Sequence, residues 1–138
     1  VLVNKARVEC QSHRLTVEDA PTAEYMARHI AGIQQRYTQR GGVRPFGLCC
    51  MVIGVDGGKP RLFVTEPSGV QSEWVATSVG RGGKTVREFL ERSVKYEDGD
   101  VADTEKCVRL AVQSLLEVVQ NGAAGMELSV LHADRPTE

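Results

Sequence analysis

Apolar residues recur along this chain at two spacings, and the change from one to the other divides it. Ala23, Met26, Ala27, Ile30, Ile33 and Tyr37 return at steps of three and four, with Arg28, Gln35 and Arg36 off the line. That stripe predicts an amphipathic helix from about Thr22 to Tyr37. Before it, Val1, Ala6, Val8 and Cys10 stand among Lys5, Arg7 and Glu9, which predicts a helix over residues 1 to about 14. The link from Leu15 to Pro21 separates the two, because a proline disfavours a helical residue before it and suits a helix start after it. Past Gly41-Gly42 the helical period disappears. Leu48 to Val55 is an uncharged apolar run that turns at Asp56-Gly57-Gly58, Arg61 to Thr65 is a second run that turns at Pro67-Ser68-Gly69, and Val70 to Ser78 is a third. Short runs rich in β-branched and aromatic residues between such turns predict an antiparallel meander. The first run has no polar face, so it is expected to be covered on both sides.

The helical period returns after Gly80-Arg81-Gly82-Gly83. A short third helix carries Val86, Phe89 and Leu90, and the acidic stretch Tyr96 to Asp100 reads as a loop. Asp103 suits the N-cap of a fourth helix with Val108, Ala111, Val112, Leu115, Leu116 and Val119 on its apolar side, and Asn121-Gly122 suits its stop. A last strand is predicted from about Met126 to His132. The order helix, helix, three or four strands, helix, helix, strand excludes the alternation of a doubly wound parallel sheet and predicts a layered α+β sandwich. Three or four strands cannot cover their own second face. With no capping residue ahead of the first helix, the sequence reads as one domain, 1–138, lacking its N-terminal part and its C-terminal end.

Composition narrows the function classes. The chain has 138 residues, 17 basic and 18 acidic, for a net charge of −1. Nothing in that balance draws the surface as a whole to nucleic acid, and no apolar run approaches the roughly 20 residues that cross a bilayer. Cys10, Cys49, Cys50 and Cys107 have no metal-type spacing, and Cys49 and Cys50 are neighbours on a predicted strand with side chains on opposite faces. All four are expected to be reduced and mostly buried, as in a cytosolic or nuclear protein.

The sharpest catalytic candidate is Ser78-Val79-Gly80-Arg81-Gly82-Gly83-Lys84-Thr85. A phosphate-binding loop needs Gly-x-x-x-x-Gly-Lys-Ser/Thr after a buried strand, because its backbone N–H groups wrap the phosphate and its lysine reaches the outer oxygens. Here Ser78 stands where the first glycine is required, and the preceding run follows a tight turn. A small phosphate- or nucleotide-binding enzyme using Gly80 to Thr85 is therefore the alternative reading. His13, His29 and His132 lie on separate predicted elements with no ligand partners at metal spacing. Glu97, Asp98 and Asp100 lack the twelve-residue Ca²⁺ pattern, and no serine sits in Gly-x-Ser-x-Gly. No catalytic, metal or cofactor site assembles from these residues. Tyr25, Arg28, His29, Gln35 and Arg36, off the apolar stripe of the second helix, suit either a subunit contact or a solvated face.

Several stretches together carry a resemblance. They are Arg7-Val8-Glu9-Cys10-Gln11-Ser12-His13-Arg14-Leu15, Gln35-Arg36-Tyr37-Thr38-Gln39, Arg44-Pro45-Phe46-Gly47, Val79-Gly80-Arg81-Gly82 and Arg87-Glu88-Phe89-Leu90-Glu91. In that order they resemble the alpha-type subunits of the eukaryotic 20S proteasome, the type-7 branch above all, from Val1 to about His132. The resemblance implies the N-terminal nucleophile hydrolase fold, a four-layer αββα sandwich, here incomplete. It implies a subunit without the N-terminal threonine of the active beta subunits, and with Arg81 in the neighbourhood where those carry a catalytic-site serine. An arginine cannot replace a small hydroxyl that relays protons. The implied role is structural, in a ring of seven alpha subunits that closes the axial channel, stacks on the beta ring and receives regulatory particles during ubiquitin-dependent protein degradation. The implied partners are neighbouring alpha subunits, beta-ring subunits and regulatory particles, with no nucleic acid, membrane or cofactor, and the implied location is cytoplasmic and nuclear. The helix pair before the meander would face the beta ring. The segment Tyr37 to Gly47 would lie beside the next alpha subunit, with Tyr37, Arg44, Pro45, Phe46 and Gly47 as candidate ring contacts.

Overall fold

The computed structural model describes residues 1–94 and 103–134. The acidic loop expected at Tyr96 to Asp100 lies outside the described residues. Four helices and a three-stranded sheet follow in the order α1 (Leu2–Val17), α2 (Ala23–Gln39), β1 (Cys50–Asp56), β2 (Lys59–Thr65), β3 (Gln71–Glu73), α3 (Gly83–Ser93) and α4 (Thr104–Leu116), with a 3-10 turn at Gly122–Gly125. They fall into two compact units, Val1–Trp74 with Ala133–Glu138, and Val75–His132.

In the first unit, α2 holds the helices to the sheet. Its stripe is buried at Ala23, Met26, Ala27, Ile30, Ala31 and Ile33, and Ala23 and Ala27 pack on Phe63 with Val52 beside them. Gly54 lets the helix close on the strand, since a Cβ there would stand 2.6 Å from the Ala23 Cβ. β1 and β2 run antiparallel, with Val52 opposite Phe63 and Met51 opposite Val64. They are joined by Gly57 and Gly58 at φ 60° and 78°, the pair of positive values that a type I′ hairpin turn requires. β2 then pairs with β3, giving the sheet order β1-β2-β3. The meander is therefore as expected in order and direction.

Its coverage is not. Burial alternates from Cys50 to Ile53, and Met51 and Ile53 are 42% and 56% exposed. Within the first unit α2 packs on the Val52 and Phe63 face, while on the opposite face Val64 is buried and Met51 and Ile53 are exposed. The third strand is also shorter than the run Val70 to Ser78. Trp74 still donates its backbone N–H to the Leu62 carbonyl at 2.9 Å, after which the chain leaves the ladder.

The second unit contains α3 and α4. Val86 and Leu90 are buried on α3, as the periodicity predicts. On α4 the Asp103 carboxylate accepts from the Glu105 N–H at 3.0 Å and caps the helix. The buried side of α4 is a correction. Of the expected apolar side Val108, Val112 and Val119 are half-buried while Ala111, Leu115 and Leu116 are exposed, and Ser114, with Cys107, Leu110 and Val118 half-buried, is the buried residue. Both sides of this helix are apolar, so spacing alone could not choose between them. Residues 126–132 form no strand, contrary to expectation. A strand persists only on a ladder, and the described residues of this unit provide none. The cysteines are less buried than expected: Cys10 and Cys50 are half-buried free thiols and Cys49 is an exposed one, while Cys107 is half-buried.

Candidate functional site

Residues 37 to 48 leave the end of α2 and lead to β1, and three contacts fix their course. The Tyr37 and Phe46 rings meet at a centroid distance of 4.5 Å and an interplanar angle of 48°. Lys5 of α1 donates from Nζ to the Tyr37 hydroxyl at 3.2 Å and lies 5.1 Å from the ring centroid. Gln34, fully buried, donates from Nε2 to the Leu48 carbonyl at 3.1 Å. Tyr37 and Phe46 are half-buried, whereas Arg44, Pro45 and Gly47 are exposed. The structure thus brings Tyr37 and Phe46 together and leaves Arg44, Pro45 and Gly47 on the surface. Arg44 has no hydrogen-bond or ion-pair partner among the described residues.

Part of the polar face of α2 is spent within the unit. Tyr25 donates its hydroxyl to Glu9 Oε1 at 2.6 Å, and His29 Nδ1 lies 3.9 Å from the same oxygen. The Glu9 carboxylate raises the Tyr25 phenol above its ordinary pKa, chiefly through that hydrogen bond. Arg28 pairs with Glu24 one helical turn away. Tyr25 and His29 therefore serve the contact between α1 and α2. Gln35 and Arg36 remain exposed.

No local spacing signals the polar cluster at the other end of α2. Asp56, closing β1, accepts from the Ala23 N–H at 2.8 Å and from the Glu24 N–H at 3.4 Å, so a strand residue caps a helix 33 positions earlier. Arg61 on β2 lies within 4.0 Å of Asp56 and 3.6 Å of Glu24, and makes a two-pronged pair with Glu73 on β3. That pair holds the Glu73 carboxyl below the usual carboxylate range and raises the Arg61 guanidinium. The hairpin turn Asp56-Gly57-Gly58 was the visible signal, but its pairing with the start of α2 is a tertiary fact.

The loop at Gly80 to Thr85 lacks the features of a phosphate cradle. No strand leads into it, because β3 ends at Glu73 and residues 75–80 are irregular. Gly82 takes φ 75° as the N-cap of α3 and lies against Val118, where a Cβ would come within 3.1 Å. Arg87 donates to the Ser78 carbonyl at 2.9 Å, and Lys84 lies 4.0 Å from Glu88 on its own helix. Arg81 is exposed.

A family profile described as "Proteasome subunit" matches residues 1–131. The chain belongs to the proteasome subunit family. Its relatives include proteasome subunit alpha type-4 of Saccharomyces cerevisiae, 54% identical over 97% of this chain and 53% of the relative. They also include proteasome subunit alpha type-7-B of Oryza sativa, 52% identical over 95% of this chain and 51% of the relative. A third is proteasome subunit alpha type-7-like of Macaca fascicularis, 48% identical over 99% and 54%. The chain spans about half the length of the curated relatives it matches. Both type-4 and type-7 names occur among these proteasome alpha subunits, so the branch expected from the sequence stands beside a second. The fold of this proteasome chain is α+β, within the αββα N-terminal nucleophile hydrolase class.

Proposed function

We propose that this chain is part of a non-catalytic subunit in the alpha ring of a 20S proteasome core, working by assembly, channel gating and regulator docking in ubiquitin-dependent degradation. The observation that carries the reading is the identity of about half of all positions to named alpha subunits over nearly the whole chain. The exposed Arg81 at the Gly80-Arg81-Gly82 turn supports the non-catalytic part, because a guanidinium cannot serve as a proton-relaying hydroxyl. On this reading residues 1–138 belong to a single domain, the partners are neighbouring alpha subunits, beta-ring subunits and regulatory particles, and the site of action is the cytoplasm and nucleus. Tyr37, Arg44, Pro45, Phe46 and Gly47 are its proposed ring contacts. The tilted Tyr37 and Phe46 ring pair would form the centre of the contact, with Arg44 offering an exposed guanidinium beside it.

The test is assembly of the full-length protein containing this sequence, tagged and co-expressed with the other core subunits. Co-migration with the core particle on a native gel is expected, with loss of incorporation in an Arg44→Glu, Phe46→Ala double variant that still folds. A variant that incorporates fully would remove the proposed contacts. A tagged protein that never enters the particle, or one that binds Mg²⁺-ATP tightly in a Lys84-dependent way, would overturn the assignment itself.

A further inference from the structure

The charge of this chain is unevenly placed. Residues 25–55 contain four arginines, Arg28, Arg36, Arg40 and Arg44, and no aspartate or glutamate, although the whole chain carries 18 acidic residues. Arg28 is neutralised by Glu24. Arg36 and Arg40 are not neutralised by any carboxylate among the described residues. Together with Lys5, Tyr37, Ile33 and Gln39 they line an open pocket of about 490 Å³ between α1 and the last turns of α2.

Three cations thus surround one concavity without an acidic side chain in its lining. Cations near the C-terminus of a helix complement its dipole, which accounts for one arginine in the last turn. It does not account for a second one four residues on or for a lysine from another helix, since like charges at that spacing repel. The lysine is held in place, with Nζ bound to the Tyr37 hydroxyl at 3.2 Å. The arginines are exposed, and Arg36 donates from Nε to the Gly32 carbonyl at 3.4 Å.

We propose that Lys5, Arg36, Arg40 and Tyr37 form a receptor for a carboxylate-bearing segment of a partner protein, a run of aspartate or glutamate side chains. Guanidinium groups match carboxylates in a planar, two-bond geometry, and tyrosine with arginine is the composition of protein contact surfaces. A phosphate ligand is less suited to this pocket. Phosphate sites draw on converging backbone N–H groups at helix N-termini, whereas this pocket adjoins a helix C-terminus, where carbonyl groups point outward. The inference stands on the pocket alone and does not depend on which assembly the chain enters.

The test is a fluorescence anisotropy titration of the full-length protein containing this sequence with a fluorescein-labelled hexaglutamate peptide at low salt. The Arg36→Glu, Arg40→Glu double variant is compared with Arg28→Glu, and circular dichroism and thermal melting confirm that both are folded. Saturable binding is expected, weakened about tenfold or more by the double variant and much less by Arg28→Glu, as close charge pairs require. Equal loss in Arg28→Glu would reduce the effect to general surface charge and overturn the proposal, as would absence of binding to the unaltered chain. Should the double variant fail to fold, Arg40→Gln serves in its place, and unchanged affinity there also overturns it. Competition by inorganic pyrophosphate at far lower concentration than by free glutamate peptide would reassign the pocket to a phosphate ligand.

Discussion

Asp56 shows how much one side chain can carry that pattern does not reveal. In sequence it is the first residue of an Asp-Gly-Gly turn, and the turn is where it was expected. In the structure its carboxylate also caps α2 through two backbone N–H groups, in addition to the Thr22 hydroxyl that accepts from the Tyr25 N–H at 3.1 Å. Asp56→Ala is therefore expected to destabilise the fold by about 1–2 kcal/mol, in the range of a lost cap, read as a lower urea midpoint. Glu73 gives a pH dependence of known sign. Its folded pKa is lowered by Arg61, so its contribution is present above the unfolded carboxylate value and is lost as pH falls through the depressed folded value. Glu73→Gln should lower the urea midpoint at neutral pH, by a small amount because the pair is partly exposed, and remove the matching part of its fall below about pH 4.5. Gln34 was invisible to periodicity for a related reason. A polar residue beside an apolar stripe reads as solvated, yet Gln34 is fully buried and bound to the Leu48 carbonyl.

At the level of elements, the helices α1, α2 and α3 and the two turns of the meander were legible because each has a local cause. The stripe of α2, the paired glycines at φ 60° and 78° and the Asp103 cap all act within a few residues. What depended on partners was not legible. Residues 126–132 have no ladder to join among the described residues of their unit, the third run leaves the β2 ladder after Trp74, and Ala111, Leu115 and Leu116 of α4 are exposed. On the meander, Met51 and Ile53 are likewise exposed although Val64 beside them is buried. An exposed apolar sheet face promotes association. The 138-residue chain alone is expected to self-associate in sedimentation velocity as concentration rises, and the Met51→Lys, Ile53→Lys double variant to sediment as a monomer without loss of helical circular dichroism. Equal association by the variant would move the cause elsewhere, to the exposed Val3, Val8 and Leu15 of α1.

For the molecule as a whole, membership in the proteasome subunit family was readable from five short stretches in order, none of them sufficient by itself. The contrast between those stretches and their geometry is instructive. The Tyr37 and Phe46 rings meet, and Arg87 holds the Ser78 carbonyl, so three of the stretches contain structural contacts; Arg44 and Arg81 reach the surface. The basic pocket at Lys5, Arg36 and Arg40 was hidden from a reading of net charge, because −1 is a sum over segregated halves. The cap from Asp56 to α2 also has a consequence in time. During synthesis the first turn of α2 leaves the ribosome 33 residues ahead of its second cap. Until then it has only Thr22 to hold its amide groups, and the helix and the hairpin must find each other before either start is secured. A pause in translation shortly before Asp56 would hold α2 half-capped, and one shortly after it would let both settle together.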